Sequence, residues 1–194
     1  MFFMFNKSIG CADMHSNNNN NNIYITHLST KEYNEFVEIF TKGDLQKFID
    51  KLVKEKISPN ATIKTYHPPY EEGDVASGAM VDDEVDDEWE DTLLSIAVEY
   101  SSNRHMSEEF VKFLIIQGVE VNKHNYNLTT GTIDTALMRA VVNDVNLEII
   151  ELLINAGIDV NVKDFFDLRA IDYARENPKL KGTQVIKLLE KLSQ

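Results

Sequence analysis

The feature that most constrains this chain is a short pattern that occurs twice in the C-terminal two-thirds of the sequence. The first copy starts at residues 91–97 (DTLLSIA) and leads to residues 118–122 (GVEVN). The second starts at residues 134–140 (DTALMRA) and leads to residues 157–161 (GIDVN). Each copy predicts a short helix, a second apolar helix, a glycine stop and an asparagine turn. Such a repeat predicts a solenoid, because one unit cannot bury its apolar face alone and stacked units can.

The composition is that of a folded chain. Hydrophobic residues make up 43% of the 194 residues, which is close to the share in globular domains. No stretch approaches the roughly 18 consecutive apolar residues of a membrane span. The single cysteine, Cys11, excludes an internal disulfide and a zinc site built from cysteines. We therefore expect a soluble protein that stays in the cytoplasm or is delivered to a host cytoplasm.

The negative charge is concentrated in one stretch. The formal net charge is −13, and residues 71–91 hold 11 of the 32 acidic side chains and no Lys or Arg. The stretch disfavours nucleic-acid binding, because phosphates require basic partners. Two interpretations stay open. The stretch could attract a basic protein and raise its association rate, or it could be a solvated spacer that repels itself.

Changes in composition divide the chain into four segments. An asparagine-rich start predicts disorder, because it contains nothing that can pack. A first amphipathic helix pair follows, and then a stretch in which prolines and acidic residues disfavour helix. The predicted segments are a disordered tail (1–26), an N-terminal capping repeat (27–60), an acidic loop insertion (61–90) and three further repeats including a C-terminal cap (91–194).

Residues 148–161 (EIIELLINAGIDVN) resemble the second helix and turn of the ankyrin repeat. The resemblance extends over residues 30–60 and 91–192, and on it the chain is identified as a divergent ankyrin repeat protein with about four repeats. It implies an all-α fold, a solenoid of helical hairpins interrupted by the long acidic loop. It also implies that the protein binds other proteins through the fingertips between repeats and through the face of the first helices.

Nine residues match structural positions of the family. Threonine caps the first helix, alanine lets neighbouring first helices stack closely, glycine allows the left-handed backbone after the second helix, and asparagine suits the turn. These residues are Thr92 and Thr135, Ala97, Ala140 and Ala174, Gly118 and Gly157, and Asn122 and Asn161. The Pro and His of the family motif are replaced by Leu93 and Ser95 in one copy. We therefore expect a lower stability than that of a regular array.

No motif in the sequence predicts catalysis. The five histidines are scattered, and none forms the i, i+4 pair that would hold a metal on a helix. Cys11 has no basic neighbours that would activate it, and the acidic stretch lacks the ligand spacing of a calcium loop. We expect no catalytic residue, no cofactor, no metal site and no enzymatic activity.

Aromatic residues are the candidates for binding a partner. Phe165 and Phe166 fall where the family has an exposed tip, and large aromatic residues are frequent interface anchors. Trp89 borders the acidic stretch and Tyr126 lies in a long predicted finger, on the same side in an ankyrin-like array. Met138 replaces the family histidine and offers a soft apolar contact. For each of the five, local packing over a long loop is the alternative.

Besides an enzyme, which would require a site assembled from loops, three hypotheses about function remain. The first is a monomeric, non-catalytic module that binds an unknown, potentially basic protein, with no nucleic-acid or membrane partner. The second is a regulator that blocks an enzyme or a basic protein with the acidic loop. The third is an effector that an intracellular microbe or virus delivers into a host cell. The sequence does not decide whether the first repeat packs on the second across the insertion.

Overall fold

The computed structural model describes five stretches of the chain: residues 24–67, 87–101, 108–128, 131–143 and 147–193. Residues 1–23 of the predicted tail and residues 68–86 of the predicted acidic loop lie outside the described residues. In the described stretches, no helix is long and apolar enough to cross a membrane.

Four consecutive helical hairpins form the stack. Their first helices pack in series, α1 on α3, α3 on α5 and α5 on α7, and the second helices α4, α6 and α8 follow the same order. This is the arrangement of a solenoid, in which each unit contacts its neighbours. The helices are α1 (Thr30–Lys42), α2 (Leu45–Lys54), α3 (Leu93–Ser101), α4 (Glu108–Ile116), α5 (Ala136–Val142), α6 (Leu147–Asn155), α7 (Ala170–Glu176) and α8 (Gln184–Leu192).

A five-stranded mixed sheet accompanies the helices, so the expectation of an all-α fold is wrong. The strands lie in sequence order; β1 pairs with β2 in parallel, and the other neighbours pair antiparallel. The first strand begins within the segment predicted as a disordered tail. The strands are β1 (Ile25–Leu28), β2 (Ile57–His67), β3 (Asp87–Thr92), β4 (Asn125–Asn127) and β5 (Ile133–Asp134).

Both ends of the segment predicted as a loop, residues 61–90, are strands. In β2, Ala61, Ile63 and Thr65 are buried at a spacing of two residues, which is the period of a strand, and Thr62 on the other face is buried too, donating to Glu90 at 2.6 Å. Pro59 lies where the register of β2 with β1 is irregular, so it interrupts no continuous ladder. The antiparallel pairing with β3 runs from Thr62 opposite Thr92 to His67 opposite Asp87.

The first hairpin packs on the second through aromatic rings. The Phe110 ring of α4 lies edge-on to Phe40 and Phe48, with centroids 5.0 and 5.3 Å apart. Phe36 completes the cluster at 5.5 Å from Phe48, and Phe40 stacks on Tyr100 of α3 at 6.0 Å. Such pairs contribute about 0.5–1.5 kcal/mol each beyond the area they bury. The insertion therefore does not separate the first hairpin from the rest of the stack.

Candidate protein-binding surface

The turn after each second helix begins with a left-handed residue. Gly118 has φ of 73° and Gly157 has φ of 85°, and each lies four residues before a turn asparagine. At the equivalent position of the first hairpin, four residues before Asn60, the chain has Lys56 with φ of 53°. A residue with a Cβ pays about 1–2 kcal/mol for this conformation. The first turn therefore keeps the geometry of the others at an energetic cost.

The turn asparagines link consecutive repeats. Oδ1 of Asn60 accepts a hydrogen bond from the N–H of Glu120 at 2.7 Å. Oδ1 of Asn122 accepts one from the N–H of Asp159 at 2.6 Å, and its Nδ2 donates to the Gly157 carbonyl at 3.1 Å. We call Asn60, Asn122 and Asn161 the asparagine ladder, since they occupy the same place in successive turns.

The threonines and alanines of the repeat motif lie in the helical interior. Oγ1 of Thr92 accepts a hydrogen bond from the N–H of Ser95, and Oγ1 of Thr135 accepts one from the N–H of Met138, both at 3.2 Å. Each threonine thereby satisfies one of the free N–H groups at a helix start. The alanines occupy fully buried positions in the first helices: Ala97, Ala140 and Ala174.

Two phenylalanines project from the segment between the third and fourth hairpins. The side chains of Phe165 and Phe166 are 69% and 54% exposed. Their rings are nearly perpendicular, with centroids 5.5 Å apart, so they form one apolar protrusion. We call residues 163–168 the Phe tip.

The backbone of the Phe tip is held by Asp164. Its Oδ1 accepts hydrogen bonds from the N–H groups of Phe166 and Leu168, both at 2.9 Å, and its N–H donates to the Leu168 carbonyl at 2.9 Å. The Tyr173 hydroxyl of α7 donates to the other carboxylate oxygen. Asp167, at φ of 62°, pairs with Lys163 at 2.7 Å. The rings are thus carried on a loop whose shape is set before any partner binds.

The three other binding candidates occupy different places. Met138 is only 3% exposed, because the first turn of α5 faces the core, so its predicted contact with a partner is not available. Trp89 lies opposite Asn127, and Tyr126 lies opposite Glu90. Adjacent residues of a strand face opposite sides of a sheet, so Trp89 and Tyr126 lie on opposite faces of this sheet. Tyr126 is exposed, whereas Trp89 is half-buried.

Trp89 lies beside a buried ionic cluster that the sequence analysis did not find. The ring of Trp89 is 5.6 Å from the Arg139 guanidinium, a cation–π distance. Arg139, only 8% exposed, contacts Asp91 through Nη2, Asp134 through Nε at 2.9 Å and Glu99 through Nη1 at 3.3 Å. One cation therefore joins β3, β5 and α3 to α5, and we call Arg139 with these three carboxylates the Arg139 cluster.

Neutral groups complete the Arg139 cluster. Asn125 of β4 donates to Asp134 and accepts the N–H of Thr92 at 2.8 Å, and the Thr65 hydroxyl of β2 donates to Asp91. Burial raises the pKa of Asp134, and the attraction of Arg139 only partly offsets it. Burial lowers the pKa of Arg139, but the carboxylates of Asp134 and Asp91 outweigh it, so this pKa lies above its usual value.

The sequence contains one signal of the Arg139 cluster. An aspartate precedes the capping threonine in both repeat copies, as Asp91-Thr92 and Asp134-Thr135. Asp91 is buried and Asp134 is partly buried, so the pair favours a nearby cation, and Arg139 lies within the second copy. In the described ranges, no three or more His, Cys, Asp or Glu side chains are arranged to hold a metal ion.

A family model for ankyrin repeats matches residues 43–164 in three copies. The chain belongs to the ankyrin repeat family. The match runs from the turn between α1 and α2 into the Phe tip, and it supports the resemblance seen in the sequence. Ankyrin repeats are generally protein–protein interaction modules. Among curated proteins, none matches the chain.

Proposed function

We propose that this ankyrin array is a non-catalytic module that binds another protein, with the Phe tip as the anchor of the interface. The observation that carries the proposal is the pair of exposed rings of Phe165 and Phe166 on a loop held by Asp164. Aromatic side chains are enriched among residues that dominate binding energy. A loop that is already ordered loses less conformational entropy on binding than a flexible one.

Two further exposed residues extend the candidate surface. Tyr126 of β4 belongs to the finger between the second and third hairpins, and Val142 at the end of α5 lies on the first-helix face. Trp89 and Met138 are left out, because the Trp89 ring contacts Arg139 and Met138 is in the core. The proposed interface therefore lies on fingers and first helices.

The alternative function, blocking of an enzyme or a basic protein by the acidic loop, is supported by the sequence alone. Its charges belong mostly to residues 68–86, outside the described residues. If the acidic stretch contributes, it does so by accelerating the encounter with a basic partner, and this contribution weakens as salt screens the charges.

The proposal is tested by affinity capture followed by measurement with purified partners. The intact chain is compared with a Phe165→Ser/Phe166→Ser variant, a variant lacking residues 71–84 and an Ile116→Ser control. Ile116 is 78% exposed on α4, so its replacement removes a comparable apolar surface elsewhere. The deletion spares the β2–β3 pairing, which ends at His67 and Asp87.

We expect at least one partner whose dissociation constant rises at least about 100-fold with the double Phe change, since an aromatic anchor that dominates an interface contributes about 2 kcal/mol or more. The Ile116→Ser control should bind this partner as the intact chain does. Partners that are lost only with the deletion would favour the acidic loop as the binding element. A chain that binds no protein specifically would contradict the proposal.

A further inference from the structure

The backbone of the Phe tip reverses in a β-turn. The N–H of Asp167 donates to the Asp164 carbonyl at 3.1 Å, which makes Phe165 and Phe166 the two central residues of a four-residue turn. Both side chains are more than half exposed, and their ring planes meet at 83°. The rings therefore sit at the corner of the turn as a convex apolar wedge, and such a wedge fits a concave apolar pocket.

The main-chain N–H groups of the Phe tip are used within it. Those of Phe166 and Leu168 donate to Oδ1 of Asp164, that of Asp164 donates to the Leu168 carbonyl, and that of Asp167 donates to the Asp164 carbonyl. A partner that adds a strand needs main-chain groups that are free to pair. We therefore expect the partner to contact the Phe tip through side chains.

An exposed ion pair flanks the turn. Lys163 precedes the turn and Asp167 closes it, and Nζ of Lys163 lies 2.7 and 2.8 Å from the two carboxylate oxygens of Asp167. The side chains are 50% and 80% exposed, and pairs as exposed as this one contribute little to stability. A carboxylate has about four lone-pair positions, so Asp167 can accept a second cation or exchange Lys163 for one.

Two cations of this chain already lie between aromatic rings and carboxylates. The Arg139 guanidinium is 5.6 Å from the Trp89 ring and pairs with Asp91. The Lys51 ammonium is 5.4 Å from the Phe36 ring and pairs with two glutamates at 2.6 and 2.7 Å. A ring face and a carboxylate together attract a cation more strongly than either group alone.

The Phe tip offers the same two kinds of group on its surface. Phe166 and Asp167 are consecutive residues, with Cα atoms about 3.8 Å apart, so the ring and the carboxylate belong to one small patch. Arginine suits such a patch better than lysine, because the planar guanidinium both stacks on a ring and pairs with a carboxylate through two N–H groups. The formal net charge of −13 also favours a basic partner.

We propose that the Phe tip binds a basic protein at an apolar pocket that has an arginine on its rim. The rings of Phe165 and Phe166 fill the pocket, and the guanidinium of that arginine pairs with Asp167 beside the rings. The interface then has an apolar centre and an ionic rim, as protein interfaces generally do. This proposal rests on the proposed function and adds the chemistry that the partner presents.

The first test uses a display library of a small folded domain whose surface loops are randomised. Binders are selected on the intact chain, and those that also bind the Phe165→Ser/Phe166→Ser variant are removed. We expect the loops of the remaining, ring-dependent binders to be rich in arginine beside apolar residues. The same selection on an Asp167→Lys variant should give loops rich in aspartate and glutamate, because the charge at the rim is reversed.

The dissociation constants of purified ring-dependent binders are then measured on purified variants. Asp167→Asn should weaken binding about tenfold at about 50 mM salt and much less at about 500 mM, because salt screens the rim pair. Asparagine tolerates the left-handed backbone at this position, where φ is 62°. Glu151→Gln is the matched control, since it removes the same charge from an exposed position of α6 and should leave the affinity unchanged.

Lys163→Gln distinguishes a rim arginine from a structural role of the ion pair. Lys163→Gln and Asp167→Asn both abolish the ion pair, so a loosened turn would weaken binding in both variants. If Asp167 meets an arginine of the binder, Lys163→Gln removes a competitor and should bind at least as tightly as the intact chain. A loss with Lys163→Gln that equals or exceeds the loss with Asp167→Asn would overturn the proposal.

The outcome of the selection is also decisive. Ring-dependent binders without a preference for arginine, or a selection that gives no ring-dependent binder, would overturn the proposal. The proposed function would still stand in these cases if affinity capture finds a partner that is lost with the double Phe change. Failure of that capture experiment as well would contradict the proposed function itself.

Discussion

Between α1 and α4 the hairpins meet through aromatic rings, whereas between α5 and α8 they meet through aliphatic side chains. Phe36, Phe48 and Phe110 are fully buried in the first region. The second region buries Leu137, Ile149, Ile171, Val185 and Leu189. Both regions keep the same hairpin and the same left-handed turn, so the stack tolerates different core chemistry where the backbone frame is conserved.

The segments that connect one hairpin to the next, which we call fingers, differ between the two regions more than the cores do. In the N-terminal region they extend into a five-stranded sheet, whose inner face is tied to α5 by the Arg139 cluster. In the C-terminal region the finger is a single short loop, closed by the carboxylate of Asp164. The long fingers use their polar groups within the protein, and the short one presents two exposed rings. Under the proposed function, the sheet is the scaffold and the Phe tip contacts the partner.

The largest expected effect comes from the aromatic region. Phe110→Ala should lower the free energy of unfolding by about 3–5 kcal/mol, because it leaves a cavity between two hairpins. Hydrogen exchange should show that α1 and α2 lose protection before α6 and α8. The comparison with Leu189→Ala, which should expose α7 and α8 first, tests whether each core holds its own region. Uniform loss of protection in both variants would contradict the division.

The second largest loss of stability is expected from the Arg139 cluster. Arg139→Met should cost about 3 kcal/mol in denaturant unfolding, because the buried Asp91 and the partly buried Asp134 lose their cation. Arg175→Met is the matched control, since Arg175 is half exposed and pairs with Glu190 at 3.3 Å, and exposed pairs contribute less than about 1 kcal/mol. Equal small losses in both variants would show that the sheet does not depend on the cluster.

The asparagine ladder allows a comparison of Asn122, whose side chain joins two turns, with Asn161, whose side chain joins none among the described residues. Asn122→Ala should destabilise the chain by about 1–2 kcal/mol, because it removes two hydrogen bonds between repeats. Asn161→Ala should leave the melting temperature unchanged, since its side chain bridges no described repeat. A loss of stability in Asn161→Ala that equals the loss in Asn122→Ala would remove the distinction.

The start of α1 has a capping box that α8 lacks. Partial burial raises the pKa of Glu32, but hydrogen bonds from the Ser29 N–H and hydroxyl outweigh it and hold the pKa below its usual 4.5. A depressed carboxylate pKa stabilises the fold above pH 4.5, and this contribution is lost as the pH falls through the folded pKa. Ser29→Ala should therefore cost about 1 kcal/mol at pH 7 and less in acid.

Thr183, the N-cap residue of α8, is the control for this measurement. It makes no side-chain capping bond, but its hydroxyl donates to the Leu180 carbonyl at 2.7 Å, so Thr183→Ala should cost about 1 kcal/mol. Its effect should also not depend on pH between 3 and 7, because no titrating group takes part. Denaturant unfolding at several pH values distinguishes the two, and a Ser29→Ala cost that is constant with pH would contradict the role of Glu32.

The smallest effects compare two left-handed turns. Lys56→Gly should stabilise the chain by about 0.5–1 kcal/mol, since the relief of backbone strain exceeds the added entropy of the unfolded chain. Gly157→Ala should destabilise it by a similar amount. A Cβ at Gly157 would meet no atom within 4 Å, so backbone conformation is the only cost. Thermal unfolding of both variants checks the opposite signs.

The sequence predicted the helical stack because its signals are local. The glycines at 118 and 157 each follow an apolar helix of period 3.6, and each glycine lies in the same repeat copy as its helix. The exposure of Phe165 and Phe166 was also predicted from their place in the repeat and is confirmed; their role in binding stays a prediction. The segment boundaries likewise stay a prediction.

The sheet and the Arg139 cluster were missed because their contacts are distant in sequence. Thr62 pairs with Thr92, and Asp91 meets Arg139 across the whole second repeat. Prolines and acids around residues 68–86 concealed the alternation in β2. Met138 was taken for a surface residue because its family counterpart is polar, although its position in α5 faces the core.

The most direct test of this account is a hydrogen-exchange footprint of the intact chain with a partner obtained by capture. If the short finger binds and the sheet is a scaffold, amide protection should increase at residues 158–168. The strands β2, β3 and β4 should exchange as they do in the free protein. Protection confined to those strands, with no change at the Phe tip, would contradict the central claim and move the interface to the sheet.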